Sequence, residues 1–178
     1  MHATLADVIA DTAQNSIEAG AGRVEVSLAE NDGRISVDVT DNGKGMDEAT
    51  LKRAFDPFYT EPGKHDKRKV GLGLPLLKQI CEACGGDVTL SSRKGEGTRL
   101  SYFFDAGNID LPPMGDIVEA LVTLFNYPGD FDLVFTHRKG GEEYTISRSE
   151  LADAVGGLET VEGIGLAKEF LRSQEDAL

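Results

Sequence analysis

The chain has 178 residues, and 31 Asp and Glu against 18 Lys and Arg give a formal net charge of −13. That acid excess argues against a general affinity for nucleic acid or an anionic membrane. No apolar run is long enough to span a bilayer and no signal-peptide pattern is present, so a cytoplasmic protein is expected. The length allows one ordinary domain plus an appendage, and two cysteines exclude a disulfide framework.

Leu5, Val8, Ile9, Thr12, Ala13 and Ile17 recur at helical spacing, which predicts an amphipathic helix over about 4–19. Asp11, Asn15 and Glu18 form a polar line beside that stripe. They read either as a solvated helix edge or as an amide oxygen for a hard cation next to a proton-accepting carboxylate. Val24, Val26 and Leu28 alternate, Asn31-Asp-Gly33 signals a hairpin turn, and Ile35, Val37 and Val39 alternate in turn. The second strand ends at Asp41, at the start of Asp41-Asn-Gly-Lys-Gly-Met46. There Gly43 and Gly45 permit a tight turn and close backbone approach.

Asp47 can cap a short helix over 48–54, and Phe55-Asp-Pro-Phe58 follows as a packing element. Thr60 to Lys69 has no hydrophobic pattern but carries Lys64, His65, Lys67, Arg68 and Lys69. It is either a solvated charge run or, standing just before Gly71-Leu-Gly73, part of an anion site. As such a loop it is expected to gain order only with phosphate. Leu74 to Cys84 continues as a helix with Pro75 in its first turn and Gly85-Gly86 at its end. Cys81 and Cys84 form a C-x-x-C, read as core packing because no second pair accompanies them.

Asp87 to Arg93 and Thr98 to Phe104 predict a second hairpin, giving the order α, β, β, short α, loop, α, β, β. That order indicates a two-layer α/β sandwich, one mostly antiparallel sheet covered by helices. Asn108 to Pro113 reads as a linker, followed by a helix (115–126), strands (131–137 and 143–147) and two helices (149–155 and 161–173). The organisation expected is residues 1–107 as one domain and 108–178 as an αββαα extension. His137 reads as a lone structural or exposed histidine.

Asn15, Asp41-x-Gly-x-Gly45, Phe55-Asp-Pro-Phe58, Gly71-Leu-Gly73 and Gly97-Thr98 occur in the order of the N, G1, F, G2 and G3 boxes. Over roughly residues 5–104 the chain resembles the ATP-binding domain of the gyrase, heat-shock chaperone, histidine kinase and MutL superfamily, the Bergerat fold. Val70 to Phe104 looks most like sensor histidine kinases, and Gln14 to Ala21 more like MutL. The resemblance implies ATP and Mg²⁺ as cofactors. Asp41 would accept from the adenine amine, Gly45 would let the backbone approach the purine, with Gly43 counted in the same site, and Asn15 would bind the metal. Lys64, Lys67, Arg68 and Lys69 would form a lid. Gly71 and Gly73 would give amides to phosphate, and Thr98 would support the adenine pocket. Met46, Phe58, Leu72 and Leu74 are counted with the same site. Asp11 stands where gyrase and MutL relatives carry a catalytic Glu.

These implications lead to a stand-alone, kinase-like module that phosphorylates or switches a partner protein supplied in trans, without nucleic acid or membrane. The alternatives are a slow MutL-type ATPase clamp that forms a homodimer on ATP, and a nucleotide sensor without chemistry.

Overall fold

The computed structural model describes residues 4–57 and 73–178. The basic loop and Phe58, Lys64, Lys67, Arg68, Lys69, Gly71 and Leu72 lie outside the described residues. Helix α1 spans Leu5–Glu18 and begins with a reciprocal cap. Asp7 N–H donates to Thr4 Oγ1 at 3.1 Å and Thr4 N–H to Asp7 Oδ2 at 3.0 Å. Strands β1 (Arg23–Asn31) and β2 (Arg34–Asp41) form the first hairpin. Asp32 and Gly33 between them have φ of 51° and 73°, the pair of left-handed residues that a type I′ turn requires.

The short helix α2 (Glu48–Lys52) is capped by Asp47, whose Oδ1 accepts from Thr50 N–H at 2.8 Å. Helix α3 spans Gly73–Ala83, and β3 (Asp87–Arg93) and β4 (Gly97–Asp105) follow as the second hairpin. The remainder is α4 (Ile117–Phe125), β5 (Asp132–Lys139), β6 (Glu142–Ser147), α5 (Arg148–Val155) and α6 (Val161–Glu175).

Six strands form one mixed sheet in the order β3-β4-β2-β1-β5-β6. Every pairing is antiparallel except β1 with β5. Strands from the segment after residue 107 thus enter the same sheet as those before it. β2 shows how the layers are specified: Ile35, Val37 and Val39 are buried under the helices, and Arg34 and Thr40 face away from them and are exposed. The opposite face is polar and stays solvated, with Asp38 bonded to Arg99 and Ser101 and Thr136 to Thr145. One apolar core runs from Leu5 of α1 through Val37 and Phe104 to Leu133 and Leu171.

Asn108 to Pro113 is more than a linker. Leu111 packs on the core, and the Pro113 carbonyl accepts a hydrogen bond from the Leu5 amide. Cys81 and Cys84 are buried free thiols, and burial pushes the Cys81 thiol up to about 12, which leaves it inert at neutral pH.

His137 is structural. It is 2% exposed, with Nδ1 2.9 Å from Glu175 Oε1 and Nε2 3.0 Å from Glu30 Oε1. Tyr144 also donates to Glu175. Burial works to raise the Glu175 carboxyl, but the bonds from His137 and Tyr144 outweigh it and hold that group below its ordinary value. This cluster ties the end of α6 to β1, β5 and β6.

Candidate functional site

Asp41 ends β2, an interior strand, and is 8% exposed. Its Oδ2 accepts from Ser16 Oγ of α1 at 2.6 Å and its Oδ1 from Gly43 N–H at 2.8 Å. Two donors from different elements therefore fix the carboxylate, while each oxygen keeps acceptor capacity for a third. This is a fixed acceptor at the end of an interior strand.

Backbone crowding around it explains two glycines. At Gly45 (φ +61°) a Cβ would fall 2.0 Å from the Arg93 carbonyl oxygen. At Gly97 (φ +103°) it would fall 1.9 Å from the Asp41 carbonyl oxygen. The loop after β2 and the turn before β4 thus press together, and only glycine fits.

Ser92 Oγ locks the two loops by accepting from Met46 N–H at 2.8 Å and donating to the Gly97 carbonyl at 2.9 Å. A hydroxyl has one hydrogen, so Thr98 Oγ1, 2.9 Å away, donates to Ser92. Thr98 is the cross-strand neighbour of Asp41.

The second half of the site lies where α1 meets the start of α3. Asp11 and Asn15 stand one turn apart on α1 and are half-buried. A Cβ on Gly73 would lie 3.3 Å from Asp11 Oδ2 and 3.7 Å from Asn15 Nδ2. The first residue of α3 therefore faces both side chains, and the positive end of that helix opens beside a carboxylate and an amide. Leu74 packs against the core.

Among the described residues no three His, Cys, Asp or Glu side chains converge as a metal cage. A hard cation here would take Asn15, with Asp11 in reach, and phosphate oxygens for the rest. The structure brings Asp41, Gly43, Gly45, Met46 and Thr98 together at one end and Asp11, Asn15, Gly73 and Leu74 at the other. Glu18, the third member of the polar line on α1, turns instead to Tyr127, whose hydroxyl donates to its Oε1 at 2.8 Å.

Sequence reasoning missed Ser16, Ser92 and Tyr127. A signal for Ser16 existed, because Thr12 and Ser16 place two hydroxyls one turn apart on the apolar face of α1. Both are buried and both need partners; Thr12 bonds to the Ile9 carbonyl and Tyr102. Ser92 had no local signal, since its role depends on loops meeting from distant parts of the chain.

The model of the histidine kinase-, DNA gyrase B- and HSP90-like ATPases matches residues 2–108. Sensor histidine kinase YxdK of Bacillus subtilis is 34% identical over 100 residues, covering 54% of this chain and 31% of that protein. The heme sensor protein HssS of Staphylococcus saprophyticus is 39% identical over 83 residues, covering 47% of this chain and 18% of that one. The chain thus matches less than a third of the length of either relative.

The crystal structure of the N-terminal domain of a DNA repair protein superposes with a TM-score of 0.60 at 14% identity. The match covers 90% of this chain and 58% of the other. At that identity the likeness is one of fold, and its coverage reaches well past residue 108. With the family model spanning more than half of its length, the chain belongs to the histidine kinase-, DNA gyrase B- and HSP90-like ATPase family.

Proposed function

We propose that this chain binds Mg·ATP between the end of β2 and the start of α3 and phosphorylates or switches a partner protein. The observation that carries the reading is the Asp41 carboxylate, buried and held by Ser16 and Gly43, with acceptor capacity left on both oxygens among the described residues. A fixed acceptor pairs with the exocyclic amine of adenine and is mismatched with the carbonyl of guanine. Asn15 would hold the metal and the amides at the start of α3 would receive phosphate oxygens. Thr98 would support the base through the Ser92 lock. When bound, Mg·ATP supplies a transferable γ-phosphoryl group; the acceptor nucleophile belongs to the partner.

Calorimetric titration with ATP and GTP tests the base selection, and equal affinities would sink it. Incubation with γ-labelled ATP, followed by acid-lability analysis, tests the source of the acceptor. His137 should carry no acid-labile label, because it is buried between carboxylates, and a label on His2 or His65 would place the acceptor on this chain.

A slow ATPase that dimerises on ATP is the second reading. What favours it is the position of Asp11, one turn before Asn15 and against Gly73, where a carboxylate could take a proton from attacking water. Gel filtration with a nonhydrolysable ATP analogue separates the two, since only the clamp should double in mass.

A further inference from the structure

We propose that residues 113–127 set the position of α1, and that Tyr127 is a positioning residue for the turn that carries Asn15. The inference rests on the nucleotide reading above. At one end of α1 the Leu5 and Ala6 amides donate to the Pro113 and Met114 carbonyls at 2.9 and 2.8 Å. These are first-turn donors that a helix cannot satisfy itself. The approach depends on Gly115, which sits at φ +80°, where a Cβ would lie 2.5 Å from both Thr4 Cβ and Oγ1.

Along its length α1 packs against α4, which buries Ile117, Val118 and Leu121. At the other end the Tyr127 hydroxyl donates to Glu18 Oε1 at 2.8 Å and accepts from Gln14 Nε2 at 3.2 Å. Gln14 Nε2 also reaches Glu18 Oε1 at 2.8 Å. Gln14 and Glu18 flank Asn15 at the preceding residue and one turn on. A carboxylate in the last turn of a helix opposes the dipole, so Glu18 stays in this arrangement through the donors that hold it.

Segment 113–127 therefore grips both ends of the helix that presents Asp11 and Asn15. Asp41 is less dependent on it: Ser16 of α1 supplies one donor to the carboxylate, but β2 is paired with a strand on each side and the Gly43 amide supplies the other donor. Losing the Tyr127 hydroxyl should loosen the phosphate half of the site and spare the adenine half.

The test is calorimetric titration of the full chain with Mg·ATP and, separately, with adenosine, for the unmodified protein, Tyr127→Phe and Glu18→Gln. Tyr127→Phe should weaken Mg·ATP about fivefold and leave adenosine within about twofold. Glu18→Gln keeps an acceptor for the hydroxyl and should stay within about twofold for both ligands. Unchanged Mg·ATP affinity in Tyr127→Phe, or equal losses for ATP and adenosine, would overturn the positioning role alone. An unmodified chain that binds neither ligand would overturn the nucleotide reading and this inference with it.

Discussion

The two ends of the candidate site are built differently. At the Asp41 end the functional group hangs from an interior strand paired on both sides, and its carboxylate is bonded to one loop amide and one hydroxyl of α1. Two glycines let the loops close to atomic contact, and one serine hydroxyl bridges them. At the Asn15 end the groups hang from two helices that meet at a glycine, and one of those helices is gripped from outside by residues 113–127. Strand pairing fixes position through many short bonds, whereas helix position depends on side-chain packing and a few terminal contacts. On the proposed nucleotide reading, base selection would therefore rest on strand pairing and phosphate handling on helix packing.

Substitutions can break this contrast. The largest effect is expected from Gly97→Ala, where a methyl group would enter the Asp41 carbonyl and the backbone would also be strained. A loss of about 3 kcal/mol or more is expected, read as a lowered denaturant midpoint. A midpoint close to that of the unmodified chain would show that the Asp41 end yields as easily as the other.

Asp41→Ala comes next. It removes the acceptor and leaves buried donors unpaired, so ATP affinity should fall by about 1–3 kcal/mol in calorimetry while the fold survives. Ser16→Ala removes one of the two donors to Asp41 and should cost about 1 kcal/mol of the same affinity. If Ser16→Ala costs as much as Asp41→Ala, the carboxylate is not held independently by the sheet.

A control away from both ends uses pH. The Glu175 carboxyl is held low in the folded chain by bonds from His137 and Tyr144 that outweigh its burial. A depressed acid stabilises the fold above its unfolded value and loses that contribution as pH falls through the folded value. The stability gap between the unmodified chain and Glu175→Gln should be present at pH 7 and vanish well below the ordinary carboxylate range. Urea melts at both pH values measure it, and a gap that persists in acid would remove Glu175 from the cluster.

The smallest binding effect belongs to Asp11→Asn, which should leave Mg·ATP affinity unchanged and slow any phosphate release. A one-methylene difference from Glu near reacting atoms can cost on the order of 10²-fold, so the starting rate is itself expected to be low. Unchanged release from the variant would remove Asp11 from the chemistry.

The sequence alone determined the elements and much of the family signature, because those depend on local periodicity and on short motifs with fixed spacing. Ile35, Val37 and Val39 alternate, Asp32-Gly33 demands a left-handed pair, and Asp41-x-Gly-x-Gly45 stands at a strand end whatever surrounds it. Only the tertiary structure decided that β5 runs parallel beside β1, since no local pattern in Leu133, Phe135 and His137 names the strand they will meet. The same holds for the reasons behind Gly45 and Gly97, for the Ser92 bridge, and for Tyr127 reaching Glu18 across 109 positions. Each is a contact between segments far apart in the chain, formed only when a shared core has brought them within a few ångströms.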